Sequence, residues 1–134
     1  MLALILFLTF SSQNLAVLNI PVVDAQEVVW TQQMVKDLAV TEAKKHGLNQ
    51  AHFLKVLDCE NSFNAKGQSQ VPDPTGPNSR EDSWGAAQIH LTAHSDITKD
   101  MAEDPSFAIP WMAEEWDLGN ASLWSCWSNL YSPK

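Results

Sequence analysis

One glutamate at the end of an apolar run is well suited to acid–base chemistry. Glu60 follows the stretch "NQAHFLKVLDC", in which Asn49 is a natural N-cap and the apolar residues have helical spacing. At 100° per residue, its side chain lies about 20° from that of Phe53 and about 40° from that of Val56 around the helix. The spacing therefore predicts a buried carboxylate, whose pKa desolvation would raise toward the range of a general acid.

Glu60 also has a simpler interpretation. A glutamate in the last turn of a helix can fray into water, or it can be capped by a neighbouring donor without taking part in catalysis. Its position in the sequence leaves both interpretations open.

Two histidines and an oxygen-rich segment raise the question of a metal site. His90 and His94 lie four residues apart, a spacing that binds zinc when the segment is helical. The glutamate of the HExxH motif is missing, no third ligand is evident, and a strand would separate the two rings. The segment "DPTGPNSRED" lacks the alternating ligand spacing of a calcium loop. We therefore expect neither a metal nor another cofactor.

Whether the two cysteines form a disulfide depends on whether the chain is exported. Residues 1–25 combine apolar runs with small residues before Gln26, which is typical of a cleaved export signal. Because no positive charge precedes the apolar run, an uncleaved membrane anchor is the alternative, and membrane contact is expected only through this segment. Outside the cytosol, an even cysteine count predicts a disulfide between Cys59 and Cys126. Two buried free thiols are the alternative if the chain is not exported.

Composition limits the number of domains and the partners. The 134 residues suffice for one core, so we take residues 26–134 as a single domain. Sixteen acidic and eight basic residues give a net charge of −8, and the basic residues form no stripe that could neutralise phosphates. Nucleic acid is therefore not expected as a partner. Most of the six tryptophans are expected to pack in the core, and others could present flat faces to a ligand.

Helical periodicity predicts further helices around the one that carries Glu60. They lie in residues 31–47, 92–104 and 104–120. In the last of these, Asp104 is expected as the N-cap, Gly119 follows the end, and Pro110 is expected to introduce a kink.

The segment between these helices has no helical pattern. Residues 64–82 are rich in Pro, Gly, Ser and Asn and predict a long loop, which in a compact domain is usually functional or mobile. The next stretch, "DSWGAAQIHL", predicts a strand or an extended turn. Its Gly85 and two alanines let another backbone or a ligand approach closely.

These motifs, taken in order, resemble those of a known superfamily. "ENSF" followed by "SWGAAQIHLTAH" resembles the lysozyme superfamily, in which a catalytic glutamate ends a helix and a later G-x-x-Q-I segment lines the cleft. The closer resemblance is to bacterial soluble lytic transglycosylases and goose-type lysozyme-like domains, which "EDPSFAIPWMAEEWDLGN" and Trp124 also fit. It covers about residues 30–131. The resemblance implies a mainly α, lysozyme-like α+β domain, with a small extended segment lining a glycan cleft.

The resemblance also implies roles for particular residues. Glu60 matches the catalytic acid, Gln88 the glutamine of the cleft floor, and Ser83 a polar residue of the cleft. Trp84 and Asp82, on either side of Ser83, are further candidates for substrate binding. In animal lysozymes, the position of Ser83 holds the second catalytic aspartate.

This serine favours one reaction over another. A two-carboxylate hydrolase needs a nucleophile about 5 Å, or a base about 6.5 to 9.5 Å, from the acid. In an extended segment, Asp82 would face away from the sugar if Ser83 faces it. A lytic transglycosylase, as the resemblance implies, uses the C6 hydroxyl of N-acetylmuramic acid as nucleophile and forms a 1,6-anhydro product. Glu60 would then act first as acid and later as base.

We therefore expect an exported, monomeric lytic transglycosylase of the periplasm, cell wall or extracellular space, with peptidoglycan glycan strands as its partner. A hydrolytic muramidase with Asp82 or Asp73 as second carboxylate is an alternative. A wall-binding module that keeps the fold without turnover is another. Such a module would have no reason to keep a costly buried acid at position 60.

Overall fold

The helices follow the apolar periodicity of the sequence. The computed structural model describes residues 28–131, so the expected signal or anchor in residues 1–25 lies outside the described residues. The elements are α1 (Gln32–Lys45), α2 (Gln50–Asn61), β1 (Ser83–Trp84), β2 (Ile89–His90), α3 (Lys99–Ala102), α4 (Pro105–Asp117) and α5 (Ser125–Tyr131). The predicted mainly helical domain with a small extended segment is therefore confirmed. None of the helices in residues 28–131 is long and apolar enough to span a bilayer.

The helix starts agree with the predicted caps. The side chain of Asn49 accepts a hydrogen bond from the His52 N–H, and that of Asp104 accepts one from the Ser106 N–H. The short predicted helix before Asp104 is confined to α3, and the residues before it form turns. α4 continues through Pro110 as one helix, although proline has no N–H for the helical ladder.

The core lies between α1, α2 and α4. α1 packs against both α4 and α2, and α5 also packs against α2. Phe53, Val56 and Leu57 of α2 are fully buried, as the sequence predicts. The ring of Phe53 meets the ring of Trp116 edge-on, with centroids 5.1 Å apart. The apolar face of α2 is thus buried, whereas Lys55 and Asp58 on another face are exposed, and its C-terminal end approaches the sheet.

Residues 68–84 form a hairpin, where the sequence predicts a long loop. The Ser69 N–H donates to the Ser83 carbonyl at 2.8 Å, and the Glu81 N–H donates to the Val71 carbonyl at 2.9 Å. Two bridges belong to the same ladder and join Gln68 with Trp84 and Pro72 with Arg80. The Pro- and Gly-rich composition that predicts a loop therefore describes the tip, whereas the flanking residues pair through their backbones.

The predicted extended segment is itself a second, tighter hairpin. β1 and β2 are antiparallel, with Ser83 opposite His90 and Trp84 opposite Ile89. The turn begins at Gly85, whose φ of +75° is readily adopted only by glycine. A Cβ on this residue would lie 1.8 Å from the Ala102 carbonyl oxygen. The prediction that Gly85 permits a close backbone approach is confirmed, and the approaching backbone is that of α3.

Candidate functional site

Glu60 lies in the last turn of α2, where α5 covers one side of it. Its Oε1 accepts a hydrogen bond from the Cys126 N–H at 3.0 Å. Burial raises the pKa of the Glu60 carboxyl, the Cys126 N–H opposes this, and the negative charge of Glu81 raises the pKa further. The net effect is a raised pKa, which is the direction of shift that suits a general acid.

The burial predicted for Glu60 is only partly confirmed. Glu60 is half-buried, whereas Phe53 and Val56 earlier in the helix are fully buried. The difference arises because α2 ends one residue after Glu60. The alternative of a glutamate that is capped by a neighbouring donor is also partly right, since Cys126 supplies such a donor. Both interpretations apply to the same carboxyl group: one oxygen accepts a hydrogen bond from the Cys126 N–H, and burial raises the pKa of the group.

The predicted disulfide is present. Cys59 and Cys126 are bonded, their Cα atoms are 6.0 Å apart, and 67 positions separate them in sequence. The described residues contain no free cysteine, so the alternative of two free thiols is wrong. The bridge attaches α5 to α2 at the residue before Glu60.

Asn61 connects the end of α2 to the sheet, a role that the sequence analysis missed. Its Nδ2 donates to the Gly85 carbonyl at 3.0 Å and to the Asn64 carbonyl at 3.2 Å. Gln88 Nε2 donates to the same Gly85 carbonyl at 2.8 Å and to the Gly67 carbonyl at 3.3 Å. Asn61, the residue after Glu60, and Gln88 therefore donate to the same carbonyl, and both side chains stabilise the turn that begins at Gly85.

Ser83 and Trp84 differ in what they expose. The Ser83 side chain is only 3% exposed, so it offers little surface to a sugar. The Trp84 indole N–H donates to Asp82 Oδ1 at 2.8 Å, and the Lys99 ammonium lies 4.0 Å from the centroid of the indole ring. One face of the indole is therefore covered by a cation, and Asp82 fixes its edge.

The acidic residues of the hairpin have different surroundings. Asp73 lies at the exposed tip, and hydrogen bonds from Thr75 hold the pKa of the Asp73 carboxyl below its usual range. Asp82 is bound to the Trp84 indole. Glu81 is half-buried, accepts a hydrogen bond from Ser69 Oγ at 3.1 Å, and acts electrostatically on Glu60.

Glu81 was not predicted as a site residue, although the sequence contains a signal for it. Alternate side chains of an extended segment share a face, so Glu81 lies on the same face as Ser83, which follows it by two residues. If Ser83 is assigned to the cleft, the same rule assigns Glu81 to it and turns Asp82 away.

No protein-family model, curated protein or solved structure matches this chain. The resemblance to lytic transglycosylases therefore depends on the order of the motifs in the sequence.

Two cavities lie apart from the glutamate. One of about 440 Å³ is lined by residues that include Trp30, Lys66 and Glu103, and another of about 310 Å³ includes Lys36 and Phe63. Glu60 lines neither cavity.

His94 and the C-terminal tryptophans have structural partners. His94 packs edge-on against Trp111, with ring centroids 4.9 Å apart. No group of three or more His, Cys, Asp or Glu side chains within residues 28–131 is arranged to hold a metal ion. Trp116 and Trp124 are buried in the core, as predicted for most tryptophans. The Trp124 indole N–H donates to the Ala87 carbonyl at 2.7 Å and so ties the segment before α5 to the turn.

Proposed function

We propose that this chain is an exported peptidoglycan lytic transglycosylase with a lysozyme-like fold, and that Glu60 is its catalytic residue. The main support is the state of this carboxyl: it is half-buried, its pKa is raised, and it lies at a helix end linked to a hairpin through Asn61. Desolvation favours the protonated form of the Glu60 carboxyl, which is the form that can deliver a proton to a leaving group.

In the proposed reaction, Glu60 acts twice. The protonated carboxyl donates to the glycosidic oxygen between N-acetylmuramic acid and N-acetylglucosamine, and the bond from C1 to that oxygen breaks. The C6 hydroxyl of the muramic acid then forms a bond to C1 and passes its proton to the Glu60 carboxylate. The Cys126 N–H stabilises the carboxylate between these two steps. The cycle ends with a 1,6-anhydro ring and a reprotonated acid.

Gln88 and Trp84 would hold the sugar. The amide nitrogen of Gln88 is bound to backbone carbonyls, so its Oε1 is the atom available to accept a hydrogen bond from a hydroxyl. Trp84 is half-buried against the core and would offer the exposed part of its indole beside Lys99. Asp82 would act indirectly, by fixing the edge of that indole.

A hydrolytic muramidase is the second candidate, and one observation favours it. Glu81 lies close enough to raise the pKa of Glu60, so a second carboxylate is available on the hairpin. In this reaction, Glu81 would activate a water molecule, or would attack C1 itself, while Glu60 protonates the leaving group. We place Glu81 in this role in preference to Asp82 and Asp73, because Glu81 is the carboxylate whose charge acts on Glu60.

The decisive experiment identifies the ends of the released fragments. The purified protein is incubated with peptidoglycan, and the products are analysed by mass spectrometry. Glu60→Gln is the inactive variant, and Asp58→Asn is its matched control, because Asp58 is an exposed carboxylate on the same helix turn. Anhydro-muramic ends that persist in Glu81→Gln support the transglycosylase.

Other outcomes would overturn this assignment. Reducing ends that disappear in Glu81→Gln would establish the muramidase. Binding to peptidoglycan without any Glu60-dependent fragment would mean that the chain is a wall-binding module.

A further inference from the structure

Cys126 is joined to the end of α2 in two ways. Its sulfur is bonded to that of Cys59, and its backbone N–H donates to the Oε1 of the next residue along α2, Glu60. The covalent bond and the hydrogen bond therefore connect the same two segments at adjacent residues. Any motion of Cys126 away from α2 lengthens the hydrogen bond as well.

The contacts around Cys126 show why the bridge matters for this hydrogen bond. Before it, Trp124 is tied to the hairpin turn at Ala87, and after it Tyr131 stacks on His52, with ring centroids 4.1 Å apart. Those contacts hold the two ends of the segment and do not involve Glu60. A seven-residue helix such as α5 is not stable by itself, so a tether is needed to fix its first turn.

We propose that the Cys59–Cys126 disulfide positions Glu60 for the proposed reaction, and that reduction of the bridge by a dithiol releases the Cys126 N–H and slows cleavage. The inference depends on the proposed function for its effect on rate, but not for its effect on the carboxyl. Cys126 is a positioning residue, since it acts through Glu60.

The reduction is a thiol–disulfide exchange. A thiolate of the dithiol attacks the sulfur of Cys59, the more exposed of the two cysteines, and Cys126 leaves as a thiolate that takes up a proton. The second thiol of the reagent then attacks the reagent sulfur that is bonded to Cys59, which forms the cyclic disulfide and releases the Cys59 thiol. Two electrons and two protons pass from the dithiol, which becomes a cyclic disulfide, to the two cysteines.

Loss of the N–H has a defined effect on the glutamate. On the hairpin side, Glu81 faces Glu60 with a negative charge that raises its pKa, and on the α5 side the Cys126 N–H lowers it. The contacts of Trp124 with Ala87 and of Tyr131 with His52 keep the segment over the end of α2, so the burial of Glu60 is retained when the N–H is withdrawn. The remaining effects of burial and of Glu81 both raise the pKa of Glu60. The alkaline limb of the pH–rate profile, which reports loss of the acid form, should therefore move to higher pH.

The test compares the oxidised chain, the chain reduced by dithiothreitol, and Cys59→Ala/Cys126→Ala. We expect the rate of Glu60-dependent fragment release to fall about 10-fold on reduction or substitution, and the alkaline limb to move to higher pH. Val35→Ala is the control, because it weakens the core at a fully buried residue of α1 without touching the bridge. Its pH–rate profile should not move.

A measurement without substrate separates this inference from the proposed function. The Glu60 carboxyl, labelled with carbon-13, is titrated by NMR in the oxidised and reduced chains, with near-ultraviolet circular dichroism as the check on folding. A higher pKa after reduction supports the inference even if no peptidoglycan is cleaved. An unchanged pKa in a folded reduced chain overturns it, even if the enzyme is active.

A second measurement decides the matter if the reduced chain unfolds. In the oxidised protein, the Cys126 amide signal is followed against pH in wild type and in Glu60→Gln. A titration of this amide that is present in wild type and absent in the variant establishes the coupling. An amide that shows no Glu60-dependent titration refutes the positioning role.

Discussion

Gly85→Ala should destabilise the fold much more than Gly47→Ala, although both glycines have a positive φ. The φ angles are +75° at Gly85 and +65° at Gly47, so an alanine is strained to a similar extent at both positions. The surroundings differ. A Cβ at Gly85 would lie 1.8 Å from the Ala102 oxygen and 2.7 Å from its carbonyl carbon, whereas a Cβ at Gly47 would have no atom within 4 Å.

The two terms can be given magnitudes. An L-residue in the left-handed region costs about 1 to 2 kcal/mol, and this term applies to both variants. At Gly85 the turn and α3 must also separate, and such overpacking typically costs about 1 to 3 kcal/mol more. We therefore expect a loss of about 1 to 2 kcal/mol for Gly47→Ala and about 2 to 5 kcal/mol for Gly85→Ala.

Urea unfolding of the oxidised proteins, followed by tryptophan fluorescence, measures the two losses. The Gly85 carbonyl also accepts hydrogen bonds from Asn61 and Gln88, so cleavage should fall in Gly85→Ala and not in Gly47→Ala. Equal losses of unfolding free energy in the two variants would refute the argument, because the close approach to α3 would then have no energetic consequence.

Three further predictions concern the site. Glu60→Gln should lower fragment release by about 10² to 10⁴-fold, the contribution of a general acid, without changing the urea midpoint; wild-type turnover would exclude Glu60 as the acid. Glu81→Gln removes a charge that raises the pKa of Glu60, so the alkaline limb of the pH–rate profile should move to lower pH; an unmoved limb would contradict the coupling. Cys59→Ser/Cys126→Ser opens a loop of 67 positions and should lower the free energy of unfolding by roughly 4 kcal/mol, whereas an unchanged melting temperature would contradict this.

The helices and the disulfide could be predicted from the sequence because their signals are local or countable. Asn49 and Asp104 cap the helices in which they were expected, since a cap depends only on the next few residues. Two cysteines allow only one intramolecular pairing. Half-burial of Glu60 could not be predicted, because it depends on how far α5 extends over the end of α2.

The hairpin was missed because its pairing is not encoded in side-chain periodicity. Ser69 and Val71 join the ladder through backbone groups that every residue other than proline provides in full. The composition around them indicates turns, so the paired flanks were assigned to the loop. Without the hairpin, the sequence does not indicate Glu81 and instead favours its neighbour Asp82, which accepts a hydrogen bond from the Trp84 indole.

The bridge between Pro72 and Arg80 separates the hairpin tip from the rest of the sheet. Within the tip, the Gly76 N–H donates to the Asp73 carbonyl and the Ser79 N–H to the Gly76 carbonyl. Outside the tip, the Gln68 side chain donates to the Pro77 carbonyl and accepts a hydrogen bond from the Asn78 side chain. Doubling the length of such a loop costs only about 0.6 kcal/mol in closure entropy. We therefore expect longer or shorter tips that keep the contacts with Gln68 to fit between Pro72 and Arg80 with little displacement of Glu81. Under the proposed function, this segment can then vary in the length of polymer that it covers.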